Sequence, residues 1–527
     1  MVAYFPVISV VVLLVFAIIL VLIRVIRPGF AYAWVVAALG ALIAWPFVLI
    51  SRSNIPQSIT LFNWRPGWIS EYSPTLLVDE YSWPFALALA TLVLSAILTD
   101  VIRANEANWS IWFGALMLGA LGVLAVQAGN PMTLLLLWMA IDLAEMVILL
   151  GQLPGSKDRE RVIISFSTRL VGTLLLVWSM IYTRSFGQIL DFSNIPTQSC
   201  IFLLLAAGLR LGVLPMNQPL RREYATRRNL GTISRLVAAG ASMILLVRTA
   251  EVGVPQNMVL ILLLLSGFAA IYSSIAWITA PDEVEGRPYW ILGLASFVVA
   301  STIRAQPSAS LAWGIITILS GSIIFLMSLR NKYLLILPVI GAVGLSSLPF
   351  LPIWNGVYLY VPGFHPALVL FLIAQSVFLV GYVYQAIKPI PTSVAMERTV
   401  WVIYPWGLVL LPGALILVGW FERDMPLSLA SVLPGLVIAV LSGIWVLLAL
   451  QMRKRETLAR TIHSAGIFVV RFFSLEWVYR FLWGVYFAMG RVIHLAINIL
   501  EGDGGILWAL LFVVLFVAIL AQVRLGG

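Results

Sequence analysis

The sequence predicts an all-α protein that crosses a membrane many times, and three observations predict it. Hydrophobic residues make up 61% of the 527 and charged residues only 10%. Mean hydropathy is +1.03, far too high for a chain that folds in water with its apolar side chains hidden. The apolar residues also come in unbroken stretches of roughly 17–25, the length a helix needs to cross about 30 Å of hydrocarbon. The stretches do not alternate polar with apolar, which excludes a β-barrel.

About sixteen spans can be placed, over approximately 5–23, 31–51, 82–101, 110–128, 132–151, 162–182, 200–216, 230–249, 257–279, 289–303, 309–328, 333–350, 366–387, 399–420, 428–451 and 504–523. The first, Phe5–Ile23, has no basic segment before it and no small-residue cleavage site, so it reads as a retained span and not as a signal peptide. Glycine, proline and short polar tracts such as Gly129-Asn130-Pro131 mark the loops. The longer connection Ser51–Leu77 alternates apolar residues and is expected to form a small hairpin outside the membrane.

The net charge of +10 follows from orientation. Loops on the side of Arg24 and Arg27 also hold Arg103, Lys157, Arg159, Arg161, Arg221, Arg222, Arg227, Arg228, Arg287, Arg330, Lys332, Lys388, Arg398, Arg453, Lys454, Arg455 and Arg460. The opposite side holds Arg52, Arg65, Arg184, Arg248, Arg304 and Arg423. Nineteen against six is a strong positive-inside bias. It places the N-terminus outside and the basic loops in the cytoplasm, in a cell inner (cytoplasmic) membrane, and calls for no nucleic acid. Cys200 is the only cysteine, so no internal disulfide or cysteine-held metal is expected. With histidine only at 365, 463 and 494, a haem or zinc core is not expected either, and the sequence suggests no cofactor.

Two acids stand out against this background. Asp142 and Glu145 lie within the apolar run 132–151, where a carboxylate costs at least about 3 kcal/mol. Three residues apart on a helix, they share one face and can serve one cavity. Three nearby spans each carry an arginine, Arg169, Arg210 and Arg235, the natural counter-charges. The cluster reads either as a hydrated site for ion movement or as an ion-paired core that fixes helix packing. A second signal is the stretch Gly208–Pro219. Pro215 removes a backbone hydrogen bond and strains the helix near 211, with Gly208 and Gly212 adding freedom. A similar interruption around Pro349, in Gly344–Pro352, falls about 140 residues later and suggests an internal repeat of broken helices. Ser273 and Ser274 read as packing hydroxyls and not as a nucleophile. Glu456–Glu501 mixes aromatic residues at helical spacing with charges, so it is expected to be an amphipathic helix lying along the membrane or along partner subunits, anchored by the final span.

Several of these residues together resemble the antiporter-like membrane subunits of respiratory complex I and of the multisubunit sodium/proton (Mrp) antiporters, the large distal type above all. Leu76-Leu77-Val78-Asp79-Glu80-Tyr81-Ser82 is similar to the family's V-D-G-L-S segment at the start of the third span. Gly208–Pro219 is similar to its broken helix of form G-x-K-x-x-x-x-P-x-H-x-W-L-P, and Ile271-Tyr272-Ser273-Ser274-Ile275 to its A-Y-S-S-I. The resemblance implies two inverted repeats, 111–250 and 251–420. They follow an N-terminal set of helices over 1–110 and precede a C-terminal part, 421–527, with a further helix, the lateral helix and the anchor. It further implies partner membrane subunits within the bilayer, and protons or sodium as transported ions in a redox-driven, NADH-quinone oxidoreductase-like complex. In such a complex this subunit would perform no catalytic chemistry of its own.

The departures from the family pattern carry as much weight. Arg210 stands where the family has its central lysine, and Asn217 replaces a histidine. Met139 stands where the family's glutamate follows a tryptophan, with Asp142 and Glu145 one and two turns on. The later lysines would fall near Gly321 and Gly356. A proton path needs groups that release a proton, and buried arginine stays charged where lysine can lose its charge. The expectation is therefore a degenerate or altered ion path: a wet polar pocket in the first half and a dry second half. The alternatives are a scaffold that no longer conducts ions, whose cluster is inert, or the membrane half of a bicarbonate-uptake system.

Overall fold

The computed structural model describes residues 4–30, 32–65, 72–103, 109–152, 155–216, 228–329, 331–351, 354–361, 363, 365–388, 398–422, 426–454, 476–501 and 509–516. In chain order the helices are α1 (Phe5–Ile26), α2 (Ala33–Ile50), α3 (Ser82–Thr99), α4 (Trp109–Val126), α5 (Pro131–Gln152), α6 (Ser156–Ser185), α7 (Thr197–Leu211) and α8 (Arg228–Thr249). They continue with α9 (Gln256–Ile278), α10 (Glu283–Ile303), α11 (Pro307–Leu326), α12 (Ile336–Leu345), α13 (Leu368–Ile387), α14 (Arg398–Phe421), α15 (Leu429–Lys454) and α16 (Glu476–Glu501). The chain divides into two units, Met1–Val470 and Arg471–Gly527.

Twelve of these helices are long and apolar enough to cross a membrane, so this is a multi-pass all-α membrane protein. Without water in the bilayer core, a spanning segment must satisfy its own backbone, and a helix does so. The other stretches that the sequence suggests as spans differ. α7 has 15 residues and α12 has 10, both apolar but short, and α10 opens on a charged turn containing Glu283, Glu285 and Arg287. Of 504–523 only 509–516 are described, and they are helical. The expected hairpin is present: β1 (Gln57–Thr60) pairs antiparallel with β2 (Thr75–Val78), with Gln57 opposite Val78.

Burial sorts the helices of the first unit. Every residue of α11 from Ala309 to Leu326 is buried, and it packs against α8, α10, α3 and α14. In α8 every residue from Asn229 to Thr249 is buried except Arg235. α1 lies at the other extreme: Val10, Leu13, Ala17 and Leu20 face the protein, while Val11, Val15, Ile18 and Leu22 are exposed. An exposed apolar stripe at helical spacing is what a bilayer-facing helix requires.

The two broken helices end differently from a simple proline kink. α7 stops at Leu211 because Gly212 takes the left-handed conformation (φ 77°). The Val213 N–H then bonds the Gly208 carbonyl at 2.8 Å and the Gly212 N–H bonds that of Leu209 at 3.1 Å. These two bonds form a Schellman ending. Pro215 lies beyond the helix, in a turn bridged by Val213 and Met216, so glycine ends α7 and not the strain of a proline. α12 stops at Leu345, and Pro349 again follows the break, flanked by Ser347 (φ 54°) and Phe350 (φ 63°).

In the second unit α16 is one 26-residue helix. It covers the C-terminal part of the expected amphipathic segment, and 456–475 lie outside the described residues. Phe481, Trp483, Tyr486, Phe487 and Met489 are exposed within that unit.

Candidate functional site

Helices α5, α6, α7 and α8 bring the charges of the first half together. Asp142 and Glu145 do lie on one face of α5, both buried, and Trp138, one turn earlier, shares that face. Arg210, one residue before the end of α7, reaches across to α5 with a two-pronged fork: Nη1 to Asp142 Oδ2 at 2.6 Å and Nη2 to Oδ1 at 2.9 Å. Both side chains are 1% exposed. The same guanidinium donates to Thr173 Oγ1 (2.9 Å), to the Arg169 carbonyl (3.3 Å) and to Ser242 Oγ (3.3 Å). Its Cζ lies 4.3 Å above the Trp138 ring, and the indole N–H holds that ring in place by donating to the Ala241 carbonyl at 2.8 Å. Such a dense set of donors and acceptors is what a buried charge pair needs to offset its lost hydration.

Arg169, from the middle of α6, binds Glu145 through both Nη atoms and lies 3.4 Å from Asp142 Oδ1. Ser234 of α8 donates to Glu145 Oε1 at 2.8 Å. Gly172 makes this crossing possible. A Cβ there would fall 2.6 Å from Arg210 Cγ and 2.8 Å from the Ala206 carbonyl, so only glycine lets α6 and α7 approach closely enough for Arg210 to pass.

Arg235 of α8 comes to the same region. It lines a cavity of about 80 Å³ together with Arg169, Arg210, Ser165, Thr168 and Gly212, roofed by Pro288, Ile291 and Leu292 of α10. A smaller cavity of about 10 Å³ lies beside Asp142 and Glu145, and Ser165 and Arg169 line both spaces. The larger one has room for several waters. Sequence reasoning found the five charges but not the groups that hold them. Trp138 was within reach, since it lies four residues before Asp142, whereas Thr173, Ser234 and Ser242 are ordinary small residues that only the packing singles out.

Two further charge sites lie at the ends of α8. At its start Arg228 pairs with Glu283 at 2.6 Å and donates to the Phe325 and Met327 carbonyls that end α11. Beside it Arg287, fully buried, donates to Thr232 Oγ1 at 2.7 Å and to the Arg228 carbonyl. At the far end Arg248 pairs with Asp79 at 2.9 Å. Asp79 and Ser82 bond reciprocally and start α3, which gives the Val78-Asp79 motif a structural task. Next to them Tyr81 hydrogen-bonds Glu251, and burial together with that carboxylate pushes its phenol up to about 12.

The second half is built differently. Around Trp277, Trp290, Phe325, Phe378 and Tyr382, rings pack edge to face and tilted at centroid distances of 5.3–6.3 Å. Glycines receive them: a Cβ on Gly293 would lie 2.0 Å from Phe378, and one on Gly321 would lie 2.5 Å from the Trp290 indole nitrogen. Ser273, Ser296, Ser301, Thr317 and Ser322 donate to carbonyls four residues back in their own helices. Ser274 does the same three residues back, to Ile271. The end of α12 is closed by a neutral group: Gln375 donates to the Leu345 carbonyl and to Ser347 Oγ, each at 2.7 Å, and accepts from Tyr360 at 2.7 Å.

No family model matches the sequence, and no curated protein matches it. Solved structures do share the fold. One is a chain of the Mrp complex from Dietzia sp. DQ12-45-1b, with a TM-score of 0.73 and 14% identity, covering 98% of this chain. This chain spans 63% of the length of that one. Another belongs to respiratory complex I from Thermus thermophilus with bound aureothin, with a TM-score of 0.58 and 16% identity over 82% of this chain and 99% of the other. A third belongs to the membrane-bound sulfane sulfur reductase, an archaeal respiratory membrane complex, with a TM-score of 0.53 and 14% identity over 82% of this chain and 74% of the other. The chain thus shares its fold with chains of these membrane complexes, among them the two kinds of complex that the sequence motifs resemble.

Proposed function

We propose that this protein is an antiporter-like membrane subunit of a complex I-like or Mrp-like assembly, with an altered ion path confined to its first half. It would lie in the cell inner membrane with its N-terminus outside, among other membrane subunits, and take protons or sodium as its ions in a redox-driven translocase. The repeats 111–250 and 251–420 would be its two halves, after the helices of 1–110 and before a partner-clamping part over 421–527. The observation that carries the reading is the charge cluster itself. A fold shared with chains of these complexes holds two carboxylates in its first half against arginines, and its second half contains a cluster of packed rings.

Within the cluster the two acids have different roles. Asp142 is locked by the two-pronged Arg210, which cannot give up its proton, so it acts as a fixed counter-charge. Both acids border the smaller cavity, but the partner of Glu145, Arg169, is 11% exposed, whereas Arg210 is 1% exposed. Glu145 is therefore the group that can change protonation when Arg169 moves. The test is Glu145→Gln in the assembled complex in vesicles. Ion movement should fall while subunit composition stays intact. Unchanged movement with intact assembly would instead favour the scaffold reading, which rests on both acids being paired with groups that hold their charge. Co-purification in mild detergent identifies the partners, and a redox-subunit set would remove the bicarbonate-uptake alternative.

A further inference from the structure

We infer that the cavity between α6, α7, α8 and α10 is a binding site for a small monovalent anion, a halide or a planar oxyanion such as nitrate or bicarbonate. Three guanidiniums, Arg169, Arg210 and Arg235, line one space of about 80 Å³. Among the described residues that line the two adjoining spaces, the charged ones are these three and the carboxylates Asp142 and Glu145 of α5. The α10 wall contributes only Pro288, Ile291 and Leu292. Three cations gathered around two anions attract a further negative charge. Arg235 brings its charge to the wall whichever other groups it also bonds, and it is the one residue of α8 between Asn229 and Thr249 that is not buried. Ser165 lies on the same wall. Guanidinium N–H groups suit small planar oxyanions.

Arg169 and Ser165 border this cavity and also the smaller one beside Glu145. An anion in the larger space therefore competes with Glu145 for Arg169. Protonating Glu145 removes a rival negative charge, so the anion binds more tightly as the pH falls and protonation and anion binding favour each other. This coupling rests on the reading of Glu145 given above, whereas the site itself does not, and binding can be measured without transport.

The experiment is chloride titration of the purified full chain in nanodiscs. Chloride replaces gluconate at constant ionic strength, and binding is followed by calorimetry and by the thermal unfolding midpoint. Saturable chloride binding is expected. Arg235→Gln should weaken it at least about tenfold, the loss of one charge-assisted contact, and Glu145→Gln should tighten it several-fold. Should Arg235→Gln fail to fold, Ser165→Leu fills the wall without removing charge and should abolish binding. No chloride effect in the unaltered chain, or one retained in Arg235→Gln and in Ser165→Leu, overturns the site. Chloride binding that Glu145→Gln leaves unchanged overturns the coupling.

Discussion

The two helices that stop within the protein, α7 and α12, set the halves of the molecule apart. α7 ends one residue after Arg210, beside two carboxylates and two cavities. α12 ends against Gln375, a neutral amide that satisfies the freed Leu345 carbonyl and passes its other bond to Tyr360. Both endings solve the same problem of unbonded carbonyls inside a bilayer. The first does so with the N–H groups of Gly212 and Val213, and charge and open space lie around it. The second does so with one amide, and its neighbours fill the remaining volume with rings. The same architecture can therefore surround a broken helix with charge and open space or with packed rings, depending on a handful of side chains.

The largest effect that can break this comparison is expected from Asp142→Asn. Arg210 would be left buried and unpaired at 1% exposure, and removing one partner of such a pair costs about 3–5 kcal/mol. Thermal unfolding of the purified protein measures it. Adding Arg210→Met to Asp142→Leu should recover most of the loss, and failure to do so would mean the pair does more than balance charge. A smaller effect is expected in the ring-packed half. Gly293→Ala places a methyl group 2.0 Å from Phe378 and should cost about 1–3 kcal/mol, while Gly151→Ala, with nothing within 4 Å, should leave stability unchanged. Equal effects at the two glycines would contradict the tight packing of the rings. Smallest is Trp138→Phe, which loses the bond to Ala241 and weakens the contact with Arg210. A loss of about 1 kcal/mol is expected, with a larger fractional effect on ion movement than on stability.

Much of this was legible in the chain itself. Unbroken apolar runs gave the helices, because hydrocarbon leaves the backbone no other partner. Asp142, Glu145, Arg169 and Arg210 stood out because charge at membrane depth needs a reason, and the structure joins these four directly. Arg235 lies at the wall of the adjoining cavity. The end of α7 was less legible. Proline draws attention as a helix breaker, yet Gly212 ends the helix, since a left-handed residue can close two carbonyls at once. Gly172 gave no signal, because a glycine in an apolar helix has many possible uses. Its task of admitting Arg210 depends on a neighbour 38 positions away. The pairs Arg228–Glu283 and Arg248–Asp79 were hidden for a similar reason, each joining residues far apart in sequence.

The central claim is that the space beside the first charge cluster is open to water while the ring-packed region of the second half is closed. Accessibility of single cysteines to a water-soluble thiol reagent, in the membrane-embedded protein with Cys200 replaced by alanine, tests it most directly. The account predicts rapid labelling of Ser165→Cys and Ala239→Cys, and none of Thr317→Cys or Ser320→Cys. Labelling of all four at similar rates, or of the second pair alone, would contradict it.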